Sequence, residues 1–405
     1  MIKILEELRK EVIEGLDSGR GITDEEIFNR IDEVLIKKSK ISYFRLDLRI
    51  RLRKEIFDSI RGLDVLQDLL EDPSITEIMI NGYQTIFVER EGKLYRYERG
   101  FYSKERLSDV IQQMVAKANR RVNESSPIVD SRLEDGSRVN VVLDPIAING
   151  PIVTIRKFPE EPITMKELIG WEAITHEVAE VLRDLVEAGY NIFVCGGTGS
   201  GKTTFLNAMS NFIPKEERII TIEDSAELQI KEIENLVRLE VRSANSSGDN
   251  EITIRDLIKT SLRMRPSRII VGEIRGGEAL DLLQALNTGH DGSMSTGHGN
   301  SPRDMLSRIE TMVLMGIDMP LPAIRSQIAA ALDVIIYLGR LRDKSRRVLE
   351  IVEVLGYKNE EIGLNPLYEF VETGENEKGR IEGWLEGDKG KLINRKKLER
   401  AGIRW

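Results

Sequence analysis

Apolar residues recur at helical spacing through the first sixty positions of the chain. One stripe contains Ile2, Leu5 and Leu8, and a second contains Ile27, Ile31 and Leu35. Thr23 and Glu26 have the spacing of a capping box, which predicts a helix start at this point. A third helical pattern covers Leu46–Leu63. We expect a helical bundle extension over residues 1–62, and its simplest interpretation is a docking or spacer module without chemistry.

Between residues 63 and 158 the pattern changes to short alternating segments separated by turn residues. Strands are predicted at residues 75–80, 85–89, 93–97, 129–133, 137–143 and 152–156. One helix is predicted over Ser103–Ala118, where four apolar residues share a face. Strands combined with a helix in this way predict an α+β domain.

The rest of the chain divides into a linker, a long regular region and a charged end. The linker, residues 159–165, contains two prolines. Strand and helix patterns then alternate over residues 166–370, which is typical of an α/β domain with a mostly parallel sheet. Residues 371–405 predict a charged C-terminal tail. The basic segment Leu341–Arg347 predicts a hairpin tip, for which a solvated turn is a simpler interpretation than a binding site.

Charge and composition exclude several classes of function. The net charge of −9 argues against general nucleic-acid binding, because phosphate neutralisation needs a basic surface. The one cysteine, Cys195, excludes a disulfide framework or a cysteine-based zinc site within the chain. Since there is neither an apolar run of membrane-spanning length nor a signal-peptide pattern, we expect a cytoplasmic protein whose membrane association is peripheral.

The most informative segment lies between a predicted buried strand, Asn191–Cys195, and a predicted helix, Phe205–Met209. It matches the pattern G-x-x-x-x-G-K-[ST] without departure. Its residues are Gly196, Gly197, Thr198, Gly199, Ser200, Gly201, Lys202, Thr203 and Thr204. A strand, a glycine loop and a helix in this order are the context that a phosphate-binding P-loop requires.

Phosphate binding gives a physical reason for each residue type in this loop. Glycines let the backbone curl so that successive N–H groups point at the phosphates, and the following helix adds its positive end. Lys202 would place a charge between the β- and γ-phosphates, and the Thr203 hydroxyl would ligate Mg²⁺. The loop therefore predicts binding of ATP with Mg²⁺, and leaves GTP open.

Two further predicted strands end in acidic residues. Arg218–Ile222 is followed by Glu223 and Asp224, and Arg268–Val271 is followed by Gly272 and Glu273. Carboxylates at the ends of strands beside a P-loop lie where Mg²⁺ and the attacking water must be held. One carboxylate can hold the metal through water while the other polarises the nucleophile.

The three histidines of the chain divide into a pair and a single residue. His290 and His298 lie in a segment rich in Gly, Ser and Thr, where they could contact or sense a phosphate. Zinc is not expected there, because further Cys or His ligands are missing nearby. His176 lies at a predicted helix start and is interpreted as a surface residue.

Taken together, these segments resemble the secretion ATPases of type II and type IV systems. Residues 221–228 resemble the Asp box of that family, residues 264–279 its Walker B segment, and residues 288–303 its His box. The resemblance covers about residues 64–370. It implies a fold class of an α/β P-loop (RecA-like) ATPase domain, an N-terminal α+β (PAS-like) domain and a helical N-terminal extension.

Within the family, the chain looks most like the CpaF (TadA) type, which powers Tad/Flp pilus assembly. The His box starts Gly289-His-Asp-Gly-Ser, paired Cys-x-x-Cys motifs are absent, and the helical extension suits this type. An ATPase of type IV secretion or conjugation is the alternative among motors. A nucleotide-gated scaffold with negligible hydrolysis is the alternative from another class, and a helicase is disfavoured by the acidic charge balance.

The resemblance also implies roles for individual residues. Lys202 and Thr203 would contact nucleotide and metal, Glu223 would polarise the attacking water, and Glu273 would sit behind Mg²⁺. His298, with His290 as a second candidate, would sense the γ-phosphate.

The same resemblance assigns arginine fingers to the α+β domain. Arg138 and Arg156, with Arg132 as a third candidate, would approach the γ-phosphate, a task that suits a planar, always charged guanidinium. A salt bridge between strands is the structural alternative for each arginine. Two glycines depart from the family pattern: Gly297 and Gly299 flank His298 and predict a looser backbone around it.

The implied assembly is a homohexamer in which nucleotide binding closes the α+β domain over the ATPase domain. The motion would pass to inner-membrane platform proteins of a pilus or secretion system, with the protein peripheral at the inner face of the membrane. No direct nucleic-acid binding is expected.

Overall fold

The structure is a computed structural model that describes residues 2–16, 21–40, 44–90, 92–118, 120–158, 161–242 and 250–405. The chain divides into two compact units, Met1–Glu160 and Glu161–Trp405. Pro159 and residue 160, the start of the predicted linker, lie outside the described residues.

The first unit begins with three helices that share a hydrophobic core. These are α1 (Ile2–Glu14), α2 (Asp24–Ser39) and α3 (Leu46–Ile60). Their buried residues include the predicted apolar positions Leu8, Ile27, Ile31 and Leu35. The predicted capping box is confirmed, because the Thr23 side chain accepts from the Glu26 amide while the Glu26 carboxylate accepts from the Thr23 amide.

The remainder of this unit is an antiparallel sheet with a helix packed on it. Its elements are α4 (Val65–Glu71), β1 (Ile75–Asn81), β2 (Ile86–Arg90), β3 (Lys93–Tyr97), α5 (Lys104–Lys117), β4 (Ile128–Arg132), β5 (Arg138–Val142) and β6 (Ile152–Arg156). Within the described residues the strand order is β3-β2-β1-β6-β5-β4. The strands and the helix predicted for this region are present, with the apolar face of α5 buried in the core under the sheet.

The second unit is built on one mixed sheet. Its first elements are α6 (Met165–Gly170), α7 (His176–Glu187), β7 (Ile192–Gly196), α8 (Lys202–Ser210), β8 (Ile219–Glu223), β9 (Leu236–Glu240), α9 (Ile254–Ser261), β10 (Arg268–Val271), α10 (Glu278–Asn287) and β11 (Met294–His298). Then follow α11 (Pro302–Gly316), α12 (Leu321–Ala331), β12 (Val334–Arg340), β13 (Arg346–Lys358), β14 (Glu361–Glu375), β15 (Ile381–Gly387) and α13 (Lys396–Arg400). In the described part of this unit the order is β15-β14-β13-β12-β7-β11-β10-β8-β9.

The strands from β12 to β9 run parallel, so their carboxyl ends meet at one edge of the sheet. β7, β8 and β10 are buried along their whole length, because helices cover both faces. This is the predicted α/β domain. None of the described helices combines the length and the apolar character needed to cross a bilayer.

The expectation of a charged tail after residue 370 is corrected by the structure. β14 continues to Glu375, β15 pairs with it, and Leu392 and Leu398 are buried in the core of the unit. Lys397 reaches the Asp333 carboxylate at 2.7 Å. The charge-rich sequence misled because exposed residues of β15 such as Glu382 and Glu386 alternate with residues that pack inward, as in any strand with one solvent-facing side.

Candidate nucleotide-binding site

The glycine loop follows β7 and leads into α8, as predicted. Gly199 and Gly201 have φ values of +71° and +94°, which favour glycine. A Cβ on Gly196 would overlap the Leu338 carbonyl and the Ser200 hydroxyl. Ser200 is buried and its hydroxyl has no hydrogen-bond partner among the described residues. The loop therefore has the backbone of a phosphate cradle, with Gly197, Thr198 and Gly199 exposed to solvent.

Lys202 is the first residue of α8 and is 8% exposed. Its ammonium donates to the carbonyls of Gly196 (3.2 Å) and Gly197 (3.1 Å) and lies 3.3 Å from Nδ1 of His298. Burial lowers the pKa of this ammonium, and the Glu273 carboxylate opposes the shift. Carbonyls and an imidazole are weak partners for a buried charge, so an anion would be a better one. Thr203 and Thr204 follow in the first turn, half-buried.

His298 reaches this lysine because of the sheet register. It is the last residue of β11, which pairs with β7 so that His298 lies opposite Gly196. The expectation that Gly297 loosens the backbone around His298 is corrected. A Cβ at this position would lie about 3 Å from Met305 and Phe193, so the glycine lies in a tightly packed place. The glycine lets the strand pack closely, and pairing with β7 holds the backbone that carries His298.

The contacts of His298 select one neutral tautomer. Lysine only donates, so Nδ1 accepts and the proton resides on Nε2. Nε2 lies 2.9 Å from Oε1 of Glu273. Burial and then Lys202 lower the pKa of His298, which favours the neutral ring near pH 7. The imidazole therefore connects the P-loop lysine to the acidic residue that follows β10.

Glu223 ends β8 with a buried, half-satisfied carboxylate. Its Oε1 accepts from the amides of Glu227 (2.8 Å) and Leu228 (2.9 Å). Its Oε2 is buried and has no hydrogen-bond partner in the described part of the chain. Burial raises the pKa of Glu223, and the two amides oppose this effect. Gly272 lies beside it, where a Cβ would make a tight contact of 3.0 Å with the Glu223 side chain.

Arg275 joins the two acidic segments and was missed by the sequence analysis. Its guanidinium lies 2.7 Å from Glu273 and 3.7 Å from Asp224. The signal was present, since this arginine comes two residues after Glu273 in the segment that resembles Walker B. Together, Lys202, His298, Glu273 and Arg275 form one continuous chain of polar contacts.

The structure separates the two histidines that the sequence grouped. His290 precedes β11, and its Nδ1 lies 3.0 Å from the Ala285 carbonyl at the opposite edge of the sheet. The strand between them spans roughly 13 Å at 3.3 Å per residue. The assignment of His290 as a second sensor of a phosphate bound at the P-loop of the same unit is therefore corrected. His176 is exposed at the start of α7, as predicted.

Arg346 is a second residue that the sequence analysis missed. The predicted hairpin between β12 and β13 is present, but its Arg346 donates from Nε to the Gly199 carbonyl at 2.8 Å. The interpretation of the segment Leu341–Arg347 as a solvated turn is therefore corrected for Arg346, which contacts the P-loop. Local composition carried no signal of this contact, which depends on how β12 pairs with β7.

The three candidate arginine fingers lie side by side in the first unit. Arg132 pairs with Arg138, and Arg138 pairs with Arg156, across β4, β5 and β6. Arg156 in turn lies opposite Glu77 on β1, with the charged groups 4.0 Å apart. The finger role itself stays a prediction.

Several known proteins are similar to this chain over most of its length. Residues 60–376 match the family model described as "Type II/IV secretion system protein". The conjugal transfer protein TrbB of Rhizobium radiobacter is 33% identical over 313 residues, covering 76% of this chain and 92% of that protein. The type IV secretion system protein PtlH of Bordetella pertussis is 30% identical over 317 residues, covering 71% and 93%.

Two solved structures share the fold. The Legionella pneumophila ATPase DotB superposes with a TM-score of 0.50 at 21% identity, covering 73% of this chain and 80% of that one. The pilus retraction motor PilT with bound ADP gives 0.51 at 20% identity, covering 84% and 88%.

Proposed function

The chain belongs to the type II/IV secretion system protein family, and we propose that it hydrolyses ATP to drive transport through a membrane machine. One observation carries the proposal. Lys202, which starts the helix after β7, contacts His298 at the end of β11, and His298 contacts Glu273, which follows β10. The three strands β7, β11 and β10 are neighbours in the sheet. A P-loop lysine close to a carboxylate that follows a neighbouring strand is the arrangement with which P-loop enzymes hold a triphosphate and its Mg²⁺.

In the proposed mechanism, Lys202 exchanges the loop carbonyls for the β- and γ-phosphates. Glu223 orients and activates the attacking water through its unpartnered Oε2. Its raised pKa favours this role, because a general base is most effective when its pKa approaches the working pH. His298 lies between Lys202 and Glu273, so loss of the lysine contact would report an arriving γ-phosphate to Glu273.

The residues also fit a magnesium ion bound with the nucleotide. Among the described residues, no group of three or more His, Cys, Asp or Glu side chains could hold a metal ion alone. Mg²⁺ commonly uses one or two protein ligands together with phosphate oxygens and water. Thr203 would be the direct ligand and Glu273 would hold metal-bound water. The ion would neutralise phosphate charge during transfer.

We further propose that Arg138 and Arg156, with Arg132 beside them, act as arginine fingers from a PAS-like domain. Their register brings three guanidinium groups to one edge of the sheet. The proposed assembly is a homohexamer peripheral to the inner face of the membrane, acting on inner-membrane platform proteins.

Among the possible machines, the named relatives favour type IV secretion or conjugation, the alternative weighed from the sequence. TrbB is named for conjugal transfer and PtlH for type IV secretion. The Tad/Flp pilus remains the second candidate. Its support is the three-helix extension, since most of residues 1–62 lie outside the matched family region.

Hydrolysis is tested by measuring phosphate release from purified protein. The oligomeric state is tested in parallel by measuring the size of the protein with and without a non-hydrolysable ATP analogue. We expect release by the wild type, loss of at least about 100-fold in Lys202→Ala, and a hexamer with the analogue. Nucleotide binding with negligible release by the wild type would instead support the nucleotide-gated scaffold.

The finger hypothesis and the type of machine need separate tests. The double variant Arg138→Ala/Arg156→Ala should bind nucleotide normally but release phosphate slowly, and wild-type activity in it would refute the fingers. In the native host, Lys202→Ala should abolish conjugal or protein transfer if the first candidate is right. Loss of surface pili with normal transfer would favour the second.

A further inference from the structure

The hairpin between β12 and β13 extends beside the P-loop. β12 pairs with β7 so that Leu338 lies opposite Gly196, the first residue of the loop. Residues 340–346 therefore extend past the end of β7. They lie on the side of β7 away from β11, β10 and β8.

Arg346 is the hairpin residue that contacts the loop. Its Nε donates to the Gly199 carbonyl at 2.8 Å, and its Cδ would lie 3.6 Å from a Cβ on Gly201. The contacted peptide group thus lies between the two glycines of the loop that have positive φ. This hydrogen bond restrains the centre of the phosphate cradle.

The other arginines of this hairpin that have carboxylate partners show what is unusual about Arg346. Arg342 is paired with Glu372 and Glu375, and Arg347 with Glu172. In the described part of the chain, no carboxylate lies within ion-pair distance of Arg346, and its side chain is exposed. Its two terminal nitrogens remain available for an anion, and a guanidinium recognises phosphate oxygens well.

The position of Arg346 indicates which end of the nucleotide it meets. Glu223, Glu273 and His298 all lie on the β11–β8 side of the P-loop, so the γ-phosphate must face that side. The β12 side then faces the opposite end, where the α-phosphate joins the nucleoside. A group on this side would meet ATP and ADP alike.

Building on the proposed ATP site, we infer that Arg346 binds the α-phosphate end of nucleoside di- and triphosphates while its Nε restrains the P-loop at Gly199. Arg346 therefore contributes to the binding of both the substrate, ATP, and the product, ADP. It takes no part in cleavage of the γ-phosphate.

The test measures the affinity of full-length protein for ADP and for a non-hydrolysable ATP analogue by titration calorimetry. Arg346→Ala should weaken both ligands by a similar factor of about tenfold or more. KM for ATP should rise while kcat at saturation stays near the wild-type value. Arg346→Lys should recover part of the affinity, because it keeps the charge but loses the planar fork.

The matched control is Lys344→Ala, which removes one positive charge from the same exposed tip without a loop contact and should leave both affinities unchanged. Unchanged affinities in Arg346→Ala would overturn the inference, as would a loss confined to the ATP analogue. If the wild type bound neither nucleotide, both this inference and the proposed function would fail. Binding by the wild type with an unaffected Arg346→Ala would remove the inference alone.

Discussion

The two edges of the sheet in the second unit, one where the parallel strands begin and one where they end, carry buried polar groups of opposite character. At the edge where the parallel strands begin, Arg268 makes two 2.7 Å contacts with Glu217, and Asp333 accepts from Lys397 and from the Asn191 amide. At the edge where they end, one oxygen of Glu223 and the Ser200 hydroxyl are buried without a partner among the described residues.

This difference separates structural polar groups from those that await a ligand. A satisfied buried ion pair stabilises the arrangement of its strands, whereas an unsatisfied buried group costs free energy that a bound ligand can recover. Variants at the first edge should therefore change stability, and variants at the second should change activity. The predictions below test this division.

The largest effect is expected for Glu223→Gln at the ligand-binding edge. The amide keeps the shape of the side chain but cannot act as a base, so kcat should fall about 10³-fold with nucleotide affinity nearly unchanged. Phosphate release and calorimetric titration measure the two quantities. The matched change at the other edge, Glu217→Gln, should lower stability and spare kcat; equal loss of kcat in both variants would break the comparison.

Next in size is the loss of stability in Arg268→Ala. Arg268 is 2% exposed, and its removal leaves Glu217 without its partner and breaks a contact to the Val186 carbonyl. The free energy of unfolding should fall by about 3 kcal/mol, measured by urea denaturation. Arg275→Ala at the other edge removes a largely exposed side chain and should cost much less stability. An equal cost would contradict the division.

A smaller effect is expected from protonation of His298. Because its pKa is lowered in the folded state, the unfolded chain binds the proton more readily in the range just below the ordinary value of 6.5. The contribution of this residue to stability is therefore present at higher pH and is lost as pH falls from about 7 through the lowered pKa. Melting temperatures between pH 7.5 and 5.5 should decline less steeply in His298→Asn than in the wild type. Identical slopes would contradict the prediction.

The smallest effect is expected for His290→Ala. This histidine lies at the structural edge and contacts the Ala285 carbonyl, so its loss should leave kcat and KM for ATP within about twofold of wild type. His298→Ala is the paired variant and should impair hydrolysis. A comparable loss of phosphate release in both variants would show that the edge of the sheet at which a histidine lies does not determine whether it takes part in hydrolysis.

Local sequence was sufficient for the features whose cause is local. The strand, glycine loop and helix at Gly196–Thr204 were predicted because only a few residues determine such a turn. The Thr23 capping box and the strands of the first unit followed from spacing and alternation, with ends shifted by a residue or so. The strand patterns also located Glu223, which ends β8, and Glu273, which lies two residues after β10.

Only the tertiary structure decided which of these groups meet. Pairing of β11 with β7 brings His298 to Lys202 and leaves His290 at the other edge, although the two histidines are eight positions apart. Pairing of β12 with β7 brings Arg346 to Gly199, which precedes it by 147 positions. The physical reason is that backbone preference and side-chain alternation act over a few residues. Strand order and register instead depend on burying both faces of the whole sheet.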